Sequence, residues 1–79
     1  MKLAVELGRP NPNDLNLNVE WVQHAERLGV DMAFSAEAWW SDAVTPLAYL
    51  ADKTSTIKLA TGIMQTTART PAMTAMTAL

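Results

Sequence analysis

The side chains able to do chemistry in this sequence fall in three short stretches: Glu37-Ala38-Trp39-Trp40, Gly62-Ile63-Met64-Gln65, and Arg69 just before Thr70-Pro71. Glu37 offers a carboxylate that can accept hydrogen bonds from a cofactor or substrate, or can sit solvated in a loop, as most glutamates do. Trp39 and Trp40 can wall a ring-shaped ligand and exclude water, or pack against a neighbouring element. Gly62, late in an apolar run, reads as a bulge or a place where backbones approach closely. Arg69 stands beside a predicted helix N-terminus, where anions are favoured. It can therefore meet an anionic group or, the commoner fate, pair with a carboxylate. The remaining candidates are structural. His24 lies on a polar helix face, Trp21 reads as packing, and Met64, Met73 and Met76 read as core or interface fillers rather than ligands.

Composition removes several classes of function. The chain has 79 residues, no Cys and a single His, so neither a disulfide framework nor a closed zinc site is available, and no metal site is expected. There is no glycine-rich dinucleotide loop and no phosphate-loop motif. Eight acidic against six basic residues give a net charge of −2 with no basic run, which argues against a nucleic-acid surface. No apolar stretch reaches the roughly 18 residues of a membrane span. Glu6 also interrupts the apolar start before it could form a signal-peptide core. A soluble, cytoplasmic protein is expected. With 49% hydrophobic and 18% charged residues, the chain is built to bury apolar surface rather than to remain disordered.

These residues are positioned by an alternation of elements. Leu3 to Leu7 is a short apolar run closed by Gly8, which predicts a strand, and Arg9-Pro10-Asn11-Pro12-Asn13 predicts a loop. From about Asp14 the period changes: Leu15, Val19, Val22 and Ala25 recur at helical steps, and Gly29 supplies a left-handed terminator. Met32–Ala36 predicts a second strand. Thr45-Pro46 predicts the next helix start, with Thr45 as N-cap and Leu47, Leu50 and Ala51 on the buried side. Ile57–Thr61 predicts a third strand, and Thr70-Pro71 a third helix with apolar positions Ala72, Met73, Ala75, Met76 and Leu79.

The order β-α-β-α-β-α requires a parallel sheet joined by right-handed crossovers. Strand starts spaced about 30 and 25 residues apart match the unit length of an eightfold barrel of roughly 250 residues. The expected fold is therefore α/β: one partial domain over residues 1–79, forming the first three units of a (β/α)8 barrel that three strands cannot close. The last helix has no C-cap before the final residue, which adds to the expectation of a piece of something larger.

Several blocks carry a family resemblance. Ala25-Glu26-Arg27-Leu28-Gly29-Val30-Asp31, Ala36-Glu37-Ala38-Trp39 and Ser41-Asp42-Ala43-Val44-Thr45-Pro46-Leu47-Ala48 closely resemble the bacterial luciferase-like superfamily. Ile57-Lys58-Leu59-Ala60-Thr61-Gly62-Ile63 and Ala68-Arg69-Thr70-Pro71-Ala72-Met73-Thr74-Ala75 continue the match. The branch it looks most like is the deazaflavin-dependent oxidoreductases, similar to methylene-tetrahydromethanopterin reductase. The resemblance covers nearly the whole chain apart from the loop at residues 9–13.

This resemblance implies an eight-stranded barrel whose chemistry sits at the C-terminal strand ends. It implies hydride transfer between the deazaflavin coenzyme F420 and a small organic substrate, with an FMN-dependent monooxygenase of the same superfamily as the alternative. It also implies a bulge on the third strand, with a non-proline cis peptide behind the cofactor ring; by position that bond is Gly62–Ile63. Members that reduce methylene-tetrahydromethanopterin or oxidise glucose 6-phosphate carry Asp-His where this sequence has Glu37-Ala38. The acid is kept in kind, but no imidazole is present for a proton shuttle at that position.

The implied cofactor-binding set is thus Glu37, Trp39, Gly62, Ile63 and Arg69, with no catalytic residue assigned. The family's later units hold much of the cofactor's phosphate-bearing tail, so tight binding by these 79 residues alone is not expected. The longer protein is expected to be a homodimer or higher homo-oligomer acting on a small molecule. The competing expectation is a catalytically inert, truncated product whose open apolar faces seek a partner. Either way, the three units alone are expected to form a loosely packed layer.

Overall fold

The computed structural model describes residues 1–8, 18–39 and 41–79. In chain order the elements are β1 (Ala4–Glu6), α1 (Val19–Arg27), β2 (Met32–Ser35), α2 (Val44–Ala51), β3 (Lys58–Thr61) and α3 (Pro71–Ala78), with a single 3-10 turn at Thr66–Ala68. The strands form one parallel sheet in the order β1-β2-β3. Val5 pairs with Ala33 and Ala33 with Leu59, which fixes the register across all three strands. The expected α/β architecture with an open parallel sheet is what the chain adopts. The expected loop at residues 9–13, and Leu15, lie outside the described residues.

Strand alternation sorts the side chains by face. Ala33 is buried, and Val5 and Leu59 pack beside it, on the side where α1 contributes Val22 and Ala25 and α2 contributes Leu47 and Leu50. Ala4, Glu6, Met32, Phe34, Lys58 and Ala60 fall on the opposite face. Sequential strand order with crossovers of one hand keeps successive helices on one side of the sheet, whereas a doubly wound sheet must reverse its order. This is the arrangement of consecutive barrel units.

The caps explain where the helices begin and end. After α1, the Gly29 N–H donates to the Glu26 carbonyl at 3.1 Å and the Val30 N–H to the Ala25 carbonyl at 3.0 Å, with Gly29 at φ +84°. Both bonds of a Schellman closure are present, as Gly29 predicts. α3 also starts as expected: the Thr70 hydroxyl accepts from the Met73 N–H at 3.1 Å, and Pro71 occupies the first helical position.

The start of α2 differs from expectation. Asp42 Oδ2, not the Thr45 hydroxyl, accepts from the amides of Val44 and Thr45 at 3.0 and 2.8 Å, and from Thr45 Oγ1 at 2.9 Å. Asp42 takes amides that lie before any a capping Thr45 hydroxyl could reach, so the helix opens before Thr45, at Val44. β3 likewise begins one residue late, at Lys58. The amide of Ile57 is taken instead by Glu26 Oε2 at 2.8 Å, together with those of Ser55 and Thr56 at 2.9 and 2.7 Å.

Three packing expectations are corrected. Trp21 lies between the buried positions of α1 and is 51% exposed. Ala51 is exposed at the last turn of α2, while Pro46 joins Leu47 and Leu50 on the buried side. No residue of α3 is buried, so of the two readings of Met73 and Met76, core or interface, the core one fails among the described residues.

Candidate functional site

The C-terminal ends of β2 and β3 continue to pair beyond the strands. The Gly62 N–H donates to the Ser35 carbonyl at 2.7 Å, and the Glu37 N–H to the Ile63 carbonyl at 2.9 Å. This lays residues 35–37 against residues 62–63, and the Gly62–Ile63 peptide is cis, as the resemblance implies. Glycine is required at 62 by a neighbour on the adjacent strand. A Cβ there would stand 2.8 Å from Phe34 Cδ2, closer than side-chain carbons approach. Ile63 itself turns outward and is 72% exposed.

After β3 the chain turns back through Thr66–Ala68 and delivers Arg69 to Glu37. Arg69 Nη1 donates to Glu37 Oε1 at 2.7 Å, and Nη2 pairs with Oε2, giving a two-pronged ion pair. Nη1 also reaches the Gln65 carbonyl at 3.3 Å. Glu37 receives two backbone amides as well: Gln65 N–H on Oε1 at 2.6 Å and Ala43 N–H on Oε2 at 3.1 Å. The two side chains are only 7% and 17% exposed, Glu37 being the more deeply set.

The electrostatics follow from these contacts. Arg69 holds the Glu37 carboxyl down to about 2, helped by the amides of Gln65 and Ala43, against an upward push from burial. Glu37 in turn raises Arg69 above its ordinary value. An acid so far below neutrality, and so fully engaged, cannot serve as a general acid or base near pH 7. The arrangement holds segments of the chain in place.

An open cleft of about 380 Å³ lies over this pair, lined by Glu37, Trp39, Asp42, Gln65 and Arg69 among others. Trp39 is fully exposed at its wall. Of the expected set, Glu37, Trp39 and Arg69 come together in the cleft, and Gly62–Ile63 adjoins it through the Glu37–Ile63 backbone bond. Trp40 lies outside the described residues. Arg69 takes the commoner of its two readings and pairs with a carboxylate, while Glu37, 7% exposed and held by Arg69, is not the solvated loop residue of its alternative reading.

Gln65 and Ala43 were not legible as members of the site, because they act through backbone amides that carry no side-chain signature. Asp42 was legible in principle, since an Asp two residues before a helical run is an N-cap signal. Among the described residues no group of three or more His, Cys, Asp or Glu could hold a metal ion, and no helix is long and apolar enough to cross a membrane.

Comparison with known proteins agrees with the geometry. Residues 2–79 match the model of the family described as luciferase-like monooxygenase. A Mycobacterium tuberculosis protein named "putative coenzyme F420-dependent oxidoreductase" is 44% identical over all 79 residues, and the chain spans 23% of that relative's length. No solved structure matches the chain.

Proposed function

This chain belongs to the luciferase-like monooxygenase family, and from that premise we propose that it supplies part of an oxidoreductase passing hydride between coenzyme F420 and a small organic substrate. The observation that carries the deazaflavin reading is the 44% identity, along the whole chain, to a relative whose name specifies that coenzyme. The residues present fit such a ring. Trp39 and Ile63 offer exposed apolar surface next to an electrically balanced Glu37–Arg69 pair, at the strand ends where barrel enzymes place their chemistry. The Gly62–Ile63 backbone would lie against the ring, with Trp39 as a side wall and Glu37 and Arg69 holding the loops beneath.

The coenzyme, when bound, supplies the carbon that carries the hydride, and the protein supplies binding and orientation. Ala38 gives no proton-transfer group beside Glu37, so any proton the substrate needs comes from elsewhere. The protein works in the cytoplasm as a homo-oligomer on this reading, with a small-molecule substrate as its partner. FMN-dependent monooxygenation is the second reading, favoured by the description of the family itself.

Titration of the longer protein to which this chain is proposed to belong, with F420 and with FMN and followed by tryptophan fluorescence, separates them. Saturable quenching by F420 alone is expected. Binding of FMN alone moves the protein to the second reading, and binding of neither leaves a catalytically inert chain.

A further inference from the structure

A carboxylate offers about four lone-pair positions, two on each oxygen. Glu37 has all four engaged: Oε1 by the Gln65 amide and Arg69 Nη1, Oε2 by the Ala43 amide and Arg69 Nη2. The four donors come from three separate places, namely the residue before α2, the segment after β3, and the residue before the cap of α3. The Glu37 amide grips the segment after β3 a second time, at the Ile63 carbonyl, at 2.9 Å. One residue therefore ties together the described segments that border the cleft, and its carboxylate, only 7% exposed, already carries two donors on each oxygen.

We infer that Glu37 is a positioning residue for the cofactor cleft, acting through Gln65, Ala43 and Arg69 while touching neither cofactor nor substrate. The inference takes the cleft of the proposed function as its setting. Arg69 shares the role, because both terminal nitrogens of its guanidinium are spent on Glu37, one of them also on the Gln65 carbonyl. With Asp42 close enough to act on Arg69, the group of three charges sums to −1. This end of the cleft has no cation to spare for a phosphate.

A salt bridge of two partners and a hub of several respond differently to substitution. Removing the guanidinium in Arg69→Met leaves the Gln65 and Ala43 amides on the carboxylate. Glu37→Gln instead turns an NH2 group toward the donors on one side and leaves a single oxygen to accept on the other. Amide hydrogen exchange by NMR reads this directly. In the parent protein and in Arg69→Met, the Gln65 and Ala43 amides stay protected. In Glu37→Gln at least one of them loses protection, and coenzyme affinity falls by at least about tenfold, the loss expected when charge-assisted hydrogen bonds go. The 13C resonance of the Glu37 carboxylate stays unmoved on adding F420.

Retained protection and affinity in Glu37→Gln would overturn the inference, as would a carboxylate resonance shifted by the coenzyme. If Glu37→Gln does not fold, Arg69→Met still decides: protected amides support the hub, and exposed ones refute it. Failure of the parent protein to bind F420 or FMN sinks the functional reading alone, since the amide pattern is measured without ligand.

Discussion

Arg69 and Glu37, 32 residues apart in sequence, meet as a two-pronged ion pair that closes the gap between the exit of β2 and the start of α3. The pair is set below the surface, with backbone amides completing the shell around the acid. Its stability contribution depends on pH in a definite direction. The folded carboxyl titrates at about 2, below the ordinary value of 4.5, so the unfolded chain binds more protons between those values. The stabilisation is complete above about pH 4.5 and is lost as pH falls toward 2. Thermal unfolding from pH 6 to pH 2 should show a steep fall in Tm across that window, and the fall should be shallower in Glu37→Gln.

Leu50 is fully buried among Leu47, Val22, Ala33 and Ile57. Leu50→Ala should cost about 2–5 kcal/mol by losing burial and leaving a cavity. In so small a core that is a large share of the total. Leu28, exposed just past α1, should tolerate the same change within about 0.5 kcal/mol. Urea denaturation of the two variants checks the contrast, and equal losses would mean the core lies elsewhere.

Gly62→Ala should destabilise by about 1–3 kcal/mol, because the new methyl overlaps the Phe34 ring. Phe34→Leu in the same molecule should recover part of that loss by vacating the space. A double-mutant cycle measures the coupling, and additive effects would show that the two side chains do not compete.

Asp42→Ala removes three hydrogen bonds at the opening of α2 and should cost about 0.5–2 kcal/mol, as N-cap losses do. Thr45→Ala should cost less, since Thr45 contributes only the hydroxyl that Asp42 holds. The order of the two melting temperatures tests which residue caps the helix.

Much of this architecture was legible from local pattern. Gly29 and Thr70-Pro71 mark helix boundaries with motifs that close within a few residues, and both are found in place. The three apolar runs likewise become the three strands. What local pattern misses is competition and distance. Thr45 reads as a cap until Asp42 is seen to hold the Val44 and Thr45 amides, earlier in the chain than any a Thr45 cap would take. The Glu37 shell depends on Gln65, 28 positions away, and on a backbone group that any residue type would offer. Trp21 and the methionines of α3 read as packing because apolarity is a property of a residue, whereas burial is a property of its neighbours.

Glu26 and Glu37 stand at opposite ends of the strands, one gathering the amides that lead into β3 and the other those that follow it. Among the described residues they share no hydrogen-bond partner. Substitutions in the cleft and at the far end should therefore combine additively, within a few tenths of a kcal/mol. The two fastenings are independent: the cleft rim can be redesigned while the Glu26 fastening, at the other end of the strands, goes on setting where β3 begins.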